Sequence, residues 1–196
     1  MVFTALGIIS SLIFLACDTP YLLDTIKNRI KPHRVTWGII FLLNATEFAN
    51  QLASGARNSL WIFGAATLMT GAIFAASLKN GVGGHTMLDI FSLTCCMIGL
   101  LLWTLFNSPS FSIFASIFVA IFALIPTYVK ARKAPETETR IAFLGGCIAS
   151  ALAAVAVGKL DWHLLILPIS GSIEQAYMVY LLYVRPGFNL SSLKKS

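Results

Sequence analysis

The chain has 196 residues, of which 57% are hydrophobic and 11% charged, with a mean hydropathy of +0.81 and a formal net charge of +6. This is well to the apolar side of a soluble domain of the same length, so a water-soluble core cannot absorb it, and the lack of period-two alternation excludes a β-barrel. The net charge does not mark a nucleic-acid binder, because its distribution follows membrane topology.

Crossing a ~30 Å hydrocarbon slab takes ~20 apolar residues as a helix. Runs of that kind are predicted at Val2 to Ile26, Val35 to Ala53, Leu60 to Leu78, Met87 to Phe106, Phe111 to Val129, Ile141 to Gly158 and Trp162 to Val184. No Lys or Arg precedes the first run and no A-x-A-like cleavage site ends it, so it reads as a retained helix rather than a signal peptide. It carries Asp18, Pro20 and Tyr21, with Asp18 on the face of Ser11, Phe14 and Tyr21 and about two turns from the inner surface. In the second run Asn44, Glu47 and Gln51 recur at i, i+3 and i+7, within ~60° on one helical face. His85, before the fourth run, and Asp89, near the inner end of that run, stand four apart at a membrane edge, where capping or solvation explains them better than a metal. The fifth run holds Pro126 near its inner end. In the seventh, Ser170, Glu174 and Tyr177 share a face, with Gln175 beside them. Trp37, Trp61 and Trp162 fall at helix ends and suit an aromatic belt. Cys17, Cys95, Cys96 and Cys147 lie in apolar runs without C-x-x-C spacing, as small buried hydrophobes.

If the N-terminus is outside, the inside loops hold Lys27, Arg29, Lys31, Arg34, Lys79, Lys130, Arg132, Lys133, Arg140, Arg185, Lys194 and Lys195, and the outside loops only Arg57 and Lys159, so 12 of 14 basic residues lie inside. The bias sets the N-terminus out and the C-terminus in, in a multi-pass protein of a cell (inner) membrane type.

The two most basic loops resemble each other. Lys27 to Thr36 (KNRIKPHRVT) and Lys130 to Thr139 (KARKAPETET) pair Lys27 with Lys130, Arg29 with Arg132, Pro32 with Pro135 and Thr36 with Thr139, each after a helix with a proline near its inner end. The plan is a three-helix bundle (1–81), a linker helix (82–109), a second three-helix bundle (110–187) and a cytoplasmic tail (188–196), a 3+1+3 parallel repeat related by an axis along the membrane normal. In layout the chain resembles the PQ-loop superfamily of SWEET-like transporters, whose Pro-Gln signature stands here as Pro20-Tyr21 and Pro126-Thr127. That resemblance implies an all-α membrane transporter. It does not imply a sugar substrate, because the prolines and asparagines of the sugar-transporting members have no counterpart in helices 2, 3, 6 and 7.

Carboxylates inside a bilayer are costly and usually face a cavity or partner. Glu47 and Glu174 fall at matched midplane depth, within ~6 Å counted at ~1.5 Å per residue. The expected binding set for a solute or proton is therefore Asn44, Glu47, Gln51, Glu174, Ser170, Gln175 and Tyr177, with Asp18, Pro20, Tyr21 and Pro126 at an inner gate. An interior with acids but no bases favours a small polar neutral or cationic solute, moved by alternating access as uniport or with a proton. A non-transporting receptor or scaffold of the same fold is the alternative. The absence of HExxH, GxSxG and P-loop motifs argues against an enzyme, and neither a cofactor nor a metal is expected. Many small residues permit close helix contact, which leaves a homo-oligomer open.

Overall fold

The computed structural model describes residues 2–53, 60–84, 86–105 and 109–184. These form an all-α protein of α1 (Val2–Ile26), α2 (Arg34–Ala53), α3 (Leu60–Asn80), α4 (Met87–Leu105), α5 (Pro109–Lys133), α6 (Arg140–Ala156) and α7 (Trp162–Val179). A short 3-10 turn covers Pro135–Thr137, and α7 widens into a π turn over Tyr180–Val184. The seven helices fall on the seven apolar runs, with ends that move by a few residues. The expected tail at 188–196 and His85 lie outside the described residues.

Among the described residues, four segments are long and apolar enough to cross a membrane: Val2–Ile26, Leu60–Asn80, Ile113–Lys133 and Trp162–Val184. The side chains are sorted in reverse of a soluble protein. Leu12, Leu68, Phe91, Met97, Leu101 and Ile173 point outward, while Ser10, Thr25, Thr36, Thr70, Ser77, Ser92 and Ser116 are buried. Large apolar surface outside and hydroxyls inside suit a chain whose surroundings are lipid. Most of these hydroxyls close their bonds locally or across helices: Thr25 and Thr70 donate back one turn at 2.8 and 2.6 Å, Ser10 donates to the Ala149 carbonyl at 2.9 Å, and Thr36 to the Ala123 carbonyl at 2.6 Å; the Ser92 hydroxyl has no partner among the described residues.

Helix α1 stops at Asn28, which takes a left-handed φ of 54°. The Asn28 amide then donates to the Thr25 carbonyl at 3.0 Å and the Arg29 amide to Asp24 at 2.8 Å. This is a Schellman cap, and asparagine is one of the few residues besides glycine that tolerate its backbone. The chain beyond it is held by a parallel bridge between His33 and Val82.

Six helices close a ring. Helix α1 packs on α3, α3 on α2, α2 on α5, α5 on α7, α7 on α6, and α6 back on α1; α4 lies outside the ring against α5, with a lighter contact to α2. Small residues set the close approaches. A Cβ on Gly145 of α6 would stand 2.1 Å from the Cβ of Cys17 in α1, so this seam closes only around glycine, whereas a Cβ on Gly146 would meet only the carboxamide end of Gln175, at 3.1 Å. Glycines 38 and 71 likewise receive Phe74 and Phe41 between α2 and α3.

The two basic loops do not share one register. Lys27 lies just past the end of α1, whereas Lys130 is still inside α5. Their similarity is therefore offset by about a turn of helix from the correspondence of the helices that precede them.

Gly145→Ala should lower the melting temperature of the purified protein, in line with the ~1–3 kcal/mol cost of overpacking a filled site. Gly146→Ala should cost clearly less, because a flexible side chain can yield, and adding Cys17→Gly to Gly145→Ala should recover most of the loss.

Candidate functional site

The ring encloses a cavity of about 190 Å³. All six ring helices line it: Phe14 and Asp18 of α1; Trp37, Asn44 and Glu47 of α2; Phe63 and Thr70 of α3; Ser116 and Thr127 of α5; Phe143 and Ser150 of α6; and Pro168, Ser170, Glu174 and Gln175 of α7. No described residue of α4 lines it. The charged groups among the lining residues are all carboxylates: Asp18, Glu47 and Glu174.

Of the expected binding set, Asn44, Glu47, Ser170, Glu174 and Gln175 line the cavity together. The Gln51 side chain lies outside the described residues. Tyr177 is not in the lining; it is half-exposed and meets Tyr128 edge-on, with ring centres 4.9 Å apart. Helix α7 is held between α5 and α6, so only a narrow arc of it looks inward, and Tyr177 falls on the α5 side of that arc. Glu47 is buried and accepts a short hydrogen bond from the Ser116 hydroxyl of α5, joining the two halves of the ring. Asp18 lines the cavity rather than reaching the interface. Among the described residues, Pro20 and Pro126 are inside helices α1 and α5 without lining the cavity; Tyr21, next to Pro20, bonds Glu138 at its closed end, and Thr127, next to Pro126, lines it. Pro168 of α7 is a cavity-lining proline that the sequence reading did not single out, although its position inside an apolar run marks a helix whose backbone bonding is locally interrupted.

The end of the cavity toward the basic loops is sealed. The Tyr21 hydroxyl donates to Glu138 Oε2 at 2.6 Å and accepts from the Trp37 indole N–H at 3.1 Å. Lys130 Nζ stands 2.6 Å from Glu138 Oε1 and also donates a short bond to the Lys31 carbonyl. Thr139 adds a bond to Asp24 at 3.0 Å. Tyr21 packs on Trp37 and Phe143, with ring centres 4.9 and 5.9 Å apart. Tyr21 and Glu138 are 0% and 4% exposed, so this is a dry cluster, and it ties α1, α2 and the first basic loop to α5 and the second. At the opposite end the lining residues Ile62, Phe63 and Leu167 are only half-buried.

Glu138 was not legible as a functional residue: a glutamate in a run of Lys, Arg, Pro and Thr reads as solvated. Burial raises its carboxyl above the ordinary value of 4.5, opposed by the Lys130 ammonium and the Tyr21 hydroxyl. A second buried pair flanks the seal. His33 Nε2 is 2.9 Å from Asp89 Oδ1, and Asp89 Oδ2 also accepts from the Gly84 and Thr86 amides at 2.7 and 3.1 Å. Asp89, expected at the interface, is thus a buried cap of α4 that clasps the first basic loop. Burial lowers the His33 pKa, with Asp89 opposing and Lys130 reinforcing. Among the described residues, no group of three or more His, Cys, Asp or Glu could hold a metal.

No protein-family model, curated protein or solved structure matches the chain.

A carboxyl whose folded-state pKa is raised contributes most to stability below its unfolded value and loses that contribution as pH rises through the folded value. The melting temperature of Lys130→Met should therefore fall more steeply than the parent's as pH is raised from 4 to 8, because Glu138 loses its counter-charge. Glu138→Gln should fall less steeply than either. Near neutral pH, Lys130→Met should cost ~3–5 kcal/mol, the usual penalty for stranding a buried charge. Thermal unfolding across that pH range measures all three.

Proposed function

We propose that this chain crosses the membrane seven times, as a 3+1+3 parallel repeat with its N-terminus outside, and carries a small solute by alternating access on the plan of the PQ-loop, SWEET-like transporters. The observation that carries the reading is the cavity itself: a largely apolar space inside apolar helices that holds three carboxylates, between two three-helix halves, closed at one end by a dry cluster drawn from both.

The helix pairing supports the repeat. Exchanging α1 with α5, α2 with α6 and α3 with α7 turns the pair α1–α3 into α5–α7, α2–α3 into α6–α7, and α1–α6 into α5–α2, and each of these is a packed pair. An axis through the ring would make that exchange, and parallel repeats related by an axis along the membrane normal share this arrangement. Helix α4, outside the ring, is then the linker that restores the direction of the second half. The sealed end is the end of the basic loops, which the positive-inside rule puts in the cytoplasm.

In this reading Glu47, Asn44, Ser170, Glu174 and Gln175 contact the solute near the middle of the bilayer. The Tyr21, Trp37, Glu138 and Lys130 cluster is the closed inner gate, and the backbone gaps left by Pro20 and Pro126 let the inner ends of α1 and α5 swing when it opens. The carboxylates give the site the means to couple transport to a proton.

Purified protein in proteoliposomes, with a solute identified by thermal-shift screening, tests this. Saturable uptake is expected. With a pH gradient as the driving force, at least one of Glu47→Gln and Glu174→Gln should abolish accumulation while solute exchange persists, because glutamine keeps the shape and hydrogen bonds of a protonated glutamate but cannot release a proton. Wild-type accumulation in both variants and in the double variant would remove proton coupling. Absence of any flux alongside a tight protein partner would favour a receptor.

A further inference from the structure

Two of the three cavity carboxylates have no partner among the described residues. Asp18 is 5% exposed and faces the cavity, and it makes no hydrogen bond or ion pair among the described residues. The carboxylate of Glu174 is also unpartnered there; only its backbone carbonyl is used, accepting from Tyr128 at 3.2 Å. Among the described residues, no lysine, arginine or histidine is in the lining. A carboxylate withdrawn from water without a donor needs a positive charge from elsewhere, either a proton or a cation.

The remaining walls indicate which kind of cation. Phe14, Trp37, Phe63 and Phe143 turn aromatic surface to the cavity, and ring faces attract cations most strongly when these are desolvated, as alkylated ammonium groups are. A bare divalent metal ion would need six or more oxygen ligands or a tight hydrated shell, which a mostly apolar wall does not offer. A zwitterion or anion would bring a carboxylate or phosphate of its own against acids with no base to receive it. Resting on the reading of this cavity as the solute site, we propose that its substrate is an organic ammonium without an acidic group, with Asp18 as its counter-ion and Glu174 as the second negative charge.

Thermal shift of the purified wild-type protein tests this with three probes of nearly one shape: choline, its uncharged carbon isostere 3,3-dimethylbutan-1-ol, and glycine betaine, which adds a carboxylate. Tetramethylammonium and tetraethylammonium extend the series. A saturable rise in melting temperature of several degrees is expected with at least one of the ammonium ions lacking an acid, through mass-action stabilisation of the folded state. The isostere and the betaine should shift it far less. In Asp18→Asn the ammonium shift should be lost. The wild-type comparison stands alone should that variant fail to fold. The proposal is overturned if no ammonium shifts the protein more than the neutral isostere, or if a well-folded Asp18→Asn keeps the full shift. Stabilisation by neutral solutes alone would sink the cation assignment and leave transport standing. A selective ammonium shift without flux in proteoliposomes would do the reverse.

Discussion

A single buried carboxylate organises the closed end of this protein. Glu138 lies in a short connection between two helices, where a glutamate ordinarily faces water, yet it is almost wholly enclosed. A charge in that position is tolerated only if donors surround it. Lys130 reaches it from the last turn of α5 and Tyr21 from α1, and Tyr21 is in turn held by the Trp37 indole of α2. The requirements of one side chain therefore bring three helices and two loops to one point, and that point is the floor of the cavity.

The cavity depends on the same closure. A ring of six helices around a space is unstable as a packing unless something prevents its collapse, and here the lining alternates large aromatic side chains with small residues such as Gly171, Ala120 and Ala153. Glycine at position 145 lets α1 and α6 approach until backbone meets side chain, which closes one seam between the halves. The other seam, α2 against α5, is bridged by polar contacts at two heights: Thr36 to the Ala123 carbonyl near the sealed end, and Ser116 to Glu47 deeper in the ring. Between them the seam has an apolar core of its own, where Ile39 of α2 packs with Val119 and Ala123 of α5.

How much of this was legible in the sequence follows from what each signal measures. The helices were, because long apolar runs in a chain with so few charges leave the backbone no other way to satisfy its polar groups. The acids within the apolar runs were as well: Glu47 and Glu174, expected at midplane depth, and Asp18, expected nearer an inner gate, all line one cavity. Facing was legible only in part. A helical wheel put Tyr177 beside Ser170 and Glu174, but the width of the inward arc is set by the neighbours of α7, which no local pattern reveals. Of the seal, only Tyr21 was legible, as one of the residues expected at an inner gate. Glu138, Lys130 and the His33–Asp89 pair join residues far apart in the chain, and in sequence each looks like an ordinary loop charge. Their significance comes from burial, a property of the assembled fold.

The most direct measurement is the accessibility of the cavity from the basic-loop side. With the native cysteines replaced, a cysteine at Asn44 should react slowly with a membrane-impermeant thiol reagent applied to inside-out vesicles, because the Tyr21, Trp37, Glu138 and Lys130 cluster closes that end. Removing the cluster's bonds with Tyr21→Phe and Glu138→Gln should raise the labelling rate from that side at least several-fold in protein that still assembles. Equal rates with and without the cluster would contradict a gate at that end, and with it the alternating opening of the ring.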